Sequence, residues 1–316
     1  MYIVILGAGA MGCLFGGRLS ETGHEVVLVD VWPEHLDAIN RHGLILETAE
    51  GTRSIALSAR RVEQVEQPPD LLMVFTKSIH SKQAIESGRH LFGDDTWVLT
   101  LQNGLGNIEA IEALVPRSRI IVGTTTCPSD LLGPGRVRSL GQGHTRIFTA
   151  DECASSGLER ICQALQQAGL QCELAPNIFA MLWEKLAFNA AVNSLTAATG
   201  LSMGGLGATA EGRELASTIA KEVVAVANRK GVAAQESVVL DTLITTMRDH
   251  AGHLPSMLQD LRAGRKTEVE AINGAVVREA QALGMSVPTT ETLYRLVRIL
   301  EQSRSAQSRA TVATDK

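Results

Sequence analysis

Lys185, Asn189 and Asn193 recur at intervals of four in a stretch, 179–199, whose apolar residues Leu182, Leu186, Phe188, Val192 and Leu195 have helical spacing. On a helix that interval sets three polar side chains along one flank, about 6 Å apart along the axis. A positioned ammonium can donate a proton and stabilise growing negative charge. The same row is also what a solvated stripe looks like, and periodicity does not choose between the two. Two later stretches are equally open. In His253-Leu254-Pro255-Ser256-Met257-Leu258-Gln259-Asp260, Pro255 and Ser256 are both residue types that open helices, so by position alone Ser256 reads as a helix start. In Thr267-Glu268-Val269-Glu270-Ala271-Ile272-Asn273-Gly274, the residues Val269, Ile272, Val276, Ala280 and Leu283 mark the buried face of a helix. Glu268 and Glu270 flank that face about equally, so spacing leaves either carboxylate available for chemistry.

The glycines of Gly7-Ala8-Gly9-Ala10-Met11-Gly12 sit between an apolar run, Tyr2-Ile3-Val4-Ile5-Leu6, and a helical pattern over 10–19. In that strand-to-helix context Gly7 permits a tight turn, Gly9 lets a pyrophosphate approach the backbone, and Gly12 lets the helix pack near the strand. The helix N-terminus adds amides and a positive dipole. A second apolar run ends at Asp30, about twenty residues past the glycines, where a carboxylate can hold a ribose diol. The unit predicts dinucleotide binding. An acid there repels a 2′-phosphate, and neither Val31 nor Trp32 supplies a cation, so NAD (NADH) is expected over NADP (NADPH); Arg53 and Lys82 are cations elsewhere that could reach such a phosphate.

These residues need elements to hold them. After Asp30 a short helix over 33–41 and a strand over 43–48 precede apolar runs at 70–75, 96–101 and 119–123, separated by helical patterns at 79–91 and 108–114. Apolar strands alternating with helices predict a doubly wound, Rossmann-type parallel sheet. Ligands lie beyond the carboxyl ends of such strands, which draws attention to Lys77 and Asn103, although Asn103-Gly104 is also a common turn signal. Short strands at 136–139 and 145–149, a helix over 157–168 and a strand over 170–174 complete this domain, 1–176. An all-helical domain follows over 177–302, its last helix covering about 290–301. The polar segment 303–316 lacks apolar periodicity and is expected to be disordered.

With 316 residues, 45% hydrophobic and 20% charged, the chain has room for two cores. A net charge of −5 gives no basic field for nucleic acid or anionic lipid, and no run is long enough to span a bilayer. The five cysteines, Cys13, Cys127, Cys153, Cys162 and Cys172, are scattered without metal-type spacing, which predicts buried free thiols, no metal and a cytoplasmic protein. An apolar face on the helical domain leaves a homodimer as an expectation.

Taken together, these residues resemble the ketopantoate reductases (2-dehydropantoate 2-reductases). The resemblance is carried by the glycine turn, Lys77, Gln102-Asn103-Gly104, Gly123-Thr124-Thr125-Thr126, Trp183-Glu184-Lys185-Leu186 with Asn189 and Asn193, Ser256-Met257-Leu258-Gln259-Asp260, Gly264-Arg265-Lys266-Thr267-Glu268 and Ile272-Asn273-Gly274. It implies an oxidoreductase of pantothenate and coenzyme A synthesis that moves hydride from a reduced nicotinamide to the C2 ketone of a small 2-oxo acid. It further implies Lys185 as general acid, Asn189 and Asn193 as substrate-positioning residues, and Ser256 as ligand of the substrate carboxylate. Glu268, not Glu270, would stand beside the reacting centre, and Lys77 and Asn103 would line the cofactor cleft. Two departures are visible. Leu201-Ser202-Met203-Gly204-Gly205 has no amide where the family has a third asparagine, which opens the possibility of another branched or bulky 2-oxo acid. Asp30-Val31-Trp32 stands where NADP-using members carry an arginine. A reading of another class, a non-catalytic NAD-binding sensor or scaffold, would keep the glycine turn and Asp30 but would not need Lys185 and Glu268.

Overall fold

The computed structural model describes residues 1–314, with side chains to Ser303. It divides into two compact units, one of 1–102 and 106–178, the other of Asn103–Leu105 with the chain from Phe179 onward.

Among the described residues, the first unit carries all the strands. They are β1 (Tyr2–Leu6), β2 (Glu25–Val29), β3 (Leu44–Thr48), β4 (Gly51–Ile55), β5 (Ser58–Arg60), β6 (Leu71–Val74), β7 (Trp97–Thr100), β8 (Ile120–Thr125), β9 (Asp130–Gly133), β10 (Arg136–Ser139), β11 (Thr145–Thr149) and β12 (Cys172–Leu174). Its helices are α1 (Ala10–Glu21), α2 (Pro33–His42), α3 (Ser78–Ser87), α4 (Asn107–Glu112) and α5 (Ser156–Gln167). Eight strands form one sheet in the order β12-β11-β8-β7-β6-β1-β2-β5. All its pairings are parallel except β11 against β8. The interior strands β1, β6 and β7 are apolar because both faces of the sheet are covered, and Ile3, Val4, Ile5, Leu71, Leu72, Met73, Val98 and Leu99 are fully buried. Chain order runs outward from β1 to β2 and β5 on one side and to β6 on the other. That reversal is the topological switch point at which doubly wound sheets bind ligands, and the glycine turn follows β1 there.

The sequence expectation of a Rossmann-type sheet followed by helices is met, with two additions. A second sheet, β4-β3-β10-β9, stands apart from the first. Its outer strands β4 and β9 are not among the strands expected from sequence, because both are mostly exposed: β4 is largely polar, and β9 offers only the pair Leu131-Leu132, too short for an apolar run. All five cysteines are free, but Cys153 is exposed and Cys127 only half-buried, which corrects the expectation that all are buried: both lie in loops, outside the apolar runs.

The second unit is helical: α6 (Ile178–Thr199), α7 (Met203–Gly207), α8 (Ala210–Arg229), α9 (Glu236–Asp249), α10 (Ser256–Arg262), α11 (Asn273–Ala282) and α12 (Pro288–Thr314). Its core joins Leu186, Ala190, Val192 and Leu195 of α6 to Ile219, Val223 and Val226 of α8 and to Val276 and Val297. α12 runs well past residue 301, where the sequence reading ends it, since no glycine or proline follows Pro288. Side chains beyond Ser303 are outside the described residues, and the expectation of a disordered tail over 303–316 falls on them. No helix among the described residues is long and apolar enough to cross a membrane.

Candidate active site

In the helical unit, α6 is continuous from Ile178 to Thr199, so Lys185, Asn189 and Asn193 do lie along one flank. The flank is not a solvated stripe: Lys185 and Asn189 are half-buried and Asn193 is 5% exposed. Burial pushes the Lys185 ammonium from its ordinary 10.5 down to about 8, against the opposing attraction of the Glu268 carboxylate.

Glu268 reaches that position from a turn. The helix whose buried face is expected to include Val269 and Ile272 begins only at Asn273. Thr267 Oγ1 accepts the N–H of Val269 at 3.2 Å, and the N–H groups of Ala271 and Ile272 both donate to the Glu268 carbonyl at 3.0 Å. Such a side-chain-to-backbone bond offers the chain an alternative to the helix. Thr267 is itself anchored, its N–H and hydroxyl donating to Glu301 Oε1 at 2.7 and 2.6 Å. Helical periodicity therefore does not apply to the two acids. Glu270 is exposed and accepts Arg278 Nη1 at 2.6 Å and the Tyr294 hydroxyl at 2.7 Å, while Glu268 is half-buried beside Lys185.

A three-residue strap completes this group. Asn103 Nδ2 donates to Glu268 Oε2 at 3.3 Å, and the Leu105 N–H donates to the Ala271 carbonyl at 3.0 Å. Between them Gly104 has φ +83, and a Cβ there would collide with the Ala271 carbonyl. Asn103-Gly104 is thus more than a turn signal: the glycine permits the contact that brings the carboxamide to the acid.

Ser256 is the first residue of α10, as its helix-start character predicts, and is exposed; the N-cap position before it is Pro255, which has no capping side chain. Glu184, adjacent to Lys185, accepts the Gln235 N–H at 3.0 Å at the start of α9 and so has a structural task. Asn273 is a residue whose task spacing did not reveal. It is fully buried and its Nδ2 donates to the Ala190 carbonyl at 3.0 Å, tying the start of α11 to α6 between Asn189 and Asn193. The clue in the sequence was a polar residue beside Gly274 at the end of an acidic turn. A cavity of about 380 Å³ bordered by Gly207, Leu243 and Met247 contains none of these residues.

In the other unit, Gly7 turns the chain with φ +101, and a Cβ at Gly12 would collide with the Gly7 carbonyl. A Cβ at Gly9 would meet only open space, which is what a phosphate approaching this backbone requires. The N–H groups of Ala10, Met11 and Gly12 open α1 and have no carbonyl one turn back, so they are available to an anion. Ala8 differs: its N–H is engaged internally, by the Val29 carbonyl at 3.2 Å and Asp30 Oδ2 at 2.9 Å. Asp30 Oδ1 accepts the N–H groups of Val31 at 2.7 Å and Trp32 at 3.1 Å. Of about four lone-pair sites on a carboxylate, one on Oδ2 is left for a ribose hydroxyl. Lys77 precedes α3 in the loop beyond β6 and is exposed. These residues fit a dinucleotide. Among the described residues no group of three or more His, Cys, Asp or Glu side chains could hold a metal.

Residues 3–152 match the family described as Ketopantoate reductase PanE/ApbA, and residues 177–301 match its C-terminal part. The chain is 32% identical over 302 residues to a Streptococcus pyogenes serotype M3 protein named 2-dehydropantoate 2-reductase, covering 95% of this chain and 98% of that one. A Pyrococcus horikoshii protein of the same name is 33% identical over 302 residues, with the same shares covered. A solved structure of D-mandelate dehydrogenase with NADH and anilino(oxo)acetate superposes with a TM-score of 0.92 at 31% identity, covering 96% of this chain and 100% of that one.

Proposed function

The chain belongs to the ketopantoate reductase family, and from that premise we propose that it reduces the C2 ketone of a 2-oxo acid, 2-dehydropantoate to pantoate, with NADH favoured over NADPH. The observation that carries the reading is Lys185 half-buried beside Glu268, which Asn103 in turn holds: burial gives the lysine the acidity that proton donation near neutral pH requires, and the carboxylate works against that shift. When bound, the reduced nicotinamide supplies the hydride. Lys185 stabilises the charge that builds on the ketone oxygen and delivers its proton there. Glu268 attracts the ammonium and keeps it charged in a site where burial works against charge. Asn103, through its bond to Glu268, fixes the orientation of that acid. Asn189 and Asn193 hold the substrate from the next two turns of α6, and the exposed hydroxyl of Ser256 donates to its carboxylate. The N–H groups opening α1 take the pyrophosphate, Asp30 accepts from the ribose, and Lys77 stands in the loop beyond β6 at the cofactor site.

A second reading, reduction of a bulkier 2-oxo acid, is favoured by the likeness to D-mandelate dehydrogenase and by Met203-Gly204-Gly205, which carries no amide side chain. The deciding experiment is a panel of branched and aromatic 2-oxo acids assayed with NADH and with NADPH. The highest kcat/KM with 2-dehydropantoate and NADH supports the first reading, and the highest with an aromatic 2-oxo acid supports the second. Cofactor binding without turnover of any 2-oxo acid would overturn both in favour of a sensor.

A further inference from the structure

The carboxylate of Asp30 is a weaker barrier to a 2′-phosphate than its charge alone implies. Three backbone N–H groups, those of Ala8, Val31 and Trp32, point at it and offset its charge with their dipoles. A cation stands one residue away. Arg61 Nη1 donates to the Val31 carbonyl at 3.0 Å, and this edge is open, Val31 being 78% exposed. The fold explains the placement. β5 runs parallel to β2 with Arg60 opposite Val29, and the Asp30 N–H continues the pairing to the Arg60 carbonyl at 3.3 Å. Arg61 therefore leaves the sheet level with Asp30, and its backbone is fixed by an N–H bond to Gln64 Oε1 at 2.8 Å. Its guanidinium keeps four of five N–H donors beyond the bond to Val31, in the planar fork that suits a phosphate. Two other arginines are engaged: Arg53 is clasped by Glu21, and Arg60 donates to Ser58 Oγ at 3.0 Å.

We propose that Arg61 recognises the 2′-phosphate of NADP(H), so that the protein binds the phosphorylated cofactor through this residue and its preference for NAD(H) is narrow. The inference rests on the dinucleotide reading of the glycine turn and deepens it. Calorimetric titration of the wild type, Arg61→Gln and Arg61→Lys with NAD⁺ and NADP⁺ tests it without reference to turnover. The Gln variant is expected to bind NADP⁺ about five- to thirtyfold more weakly, with NAD⁺ affinity within about twofold of wild type; the Lys variant should fall between, retaining charge without the fork. The wild-type affinity for NADP⁺ should also fall more steeply with salt than that of Arg61→Gln. Equal losses for both nucleotides, or none for NADP⁺, would overturn the role of Arg61. A wild type that binds neither would overturn the dinucleotide reading with it. Tighter wild-type binding of NADP⁺, lost in Arg61→Gln, would support Arg61 while removing the NADH preference.

Discussion

Lys185 lies beside Glu268 under two opposed influences, and the larger is burial, which lowers its pKa to about 8 while the carboxylate raises it. In the proposed reaction Lys185 acts as the protonated ammonium, so kcat/KM should be level below pH 8 and fall about tenfold per pH unit above it. Glu268→Gln removes the raising influence, and the descending limb should move to lower pH, with a greater loss at pH 8 than at pH 6. A limb that stays in place in the pH–rate profile of this variant would assign the titration to another group.

Removing the ammonium separates chemistry from binding. Lys185→Ala should lower kcat by about 10² or more while the calorimetric Kd for NADH stays near wild type, because proton donation acts only on the reacting oxygen. Wild-type kcat in this variant would take the lysine out of the mechanism.

Ser256 offers a different split. It is exposed and stands one place inside α10, after the N-cap residue Pro255, so Ser256→Ala should leave the Tm unchanged within about 1 °C. A hydrogen bond to the substrate carboxylate, made equally in ground and transition states, should appear as a KM raised about tenfold with kcat little changed. A lower Tm with an unchanged KM would return Ser256 to a structural role.

Where the sequence was legible, the signals were local. The strand, glycines and helix of residues 2–19 fix one another within a single unit of chain, and the row Lys185, Asn189, Asn193 needed only that α6 be unbroken. Glu268 was not separable from Glu270 because the bond from Val269 to Thr267 Oγ1 replaces helix with turn there, and periodicity assumes a helix. Asn273 and Arg61 were silent for another reason. Their partners, the Ala190 carbonyl and the Val31 carbonyl, lie 83 and 30 residues away in the chain, and a backbone acceptor leaves no mark on the sequence. β5, which delivers Arg61, is three residues long with one buried, too short for an apolar run.

The strap at Asn103–Leu105 permits a controlled test of how precisely Glu268 must be held. Gly104 and Gly106 both have positive φ, +83 and +96, so alanine at either carries the same kind of backbone cost, on the order of 1 kcal/mol. They differ in what a methyl group would meet. At Gly106 it enters open space, whereas at Gly104 it runs into the carbonyl and Cβ of Ala271. Gly104→Ala should therefore displace the strap, break the Leu105 bond to Ala271 and draw Asn103 away from Glu268, with kcat/KM lowered tenfold or more, since small misplacements of a catalytic group are costly. Gly106→Ala should lower the Tm by a few degrees and leave kcat/KM within about twofold. If the two variants lose activity equally, backbone strain accounts for the loss, and the Asn103 bond to Glu268 has no part in positioning the acid beside Lys185.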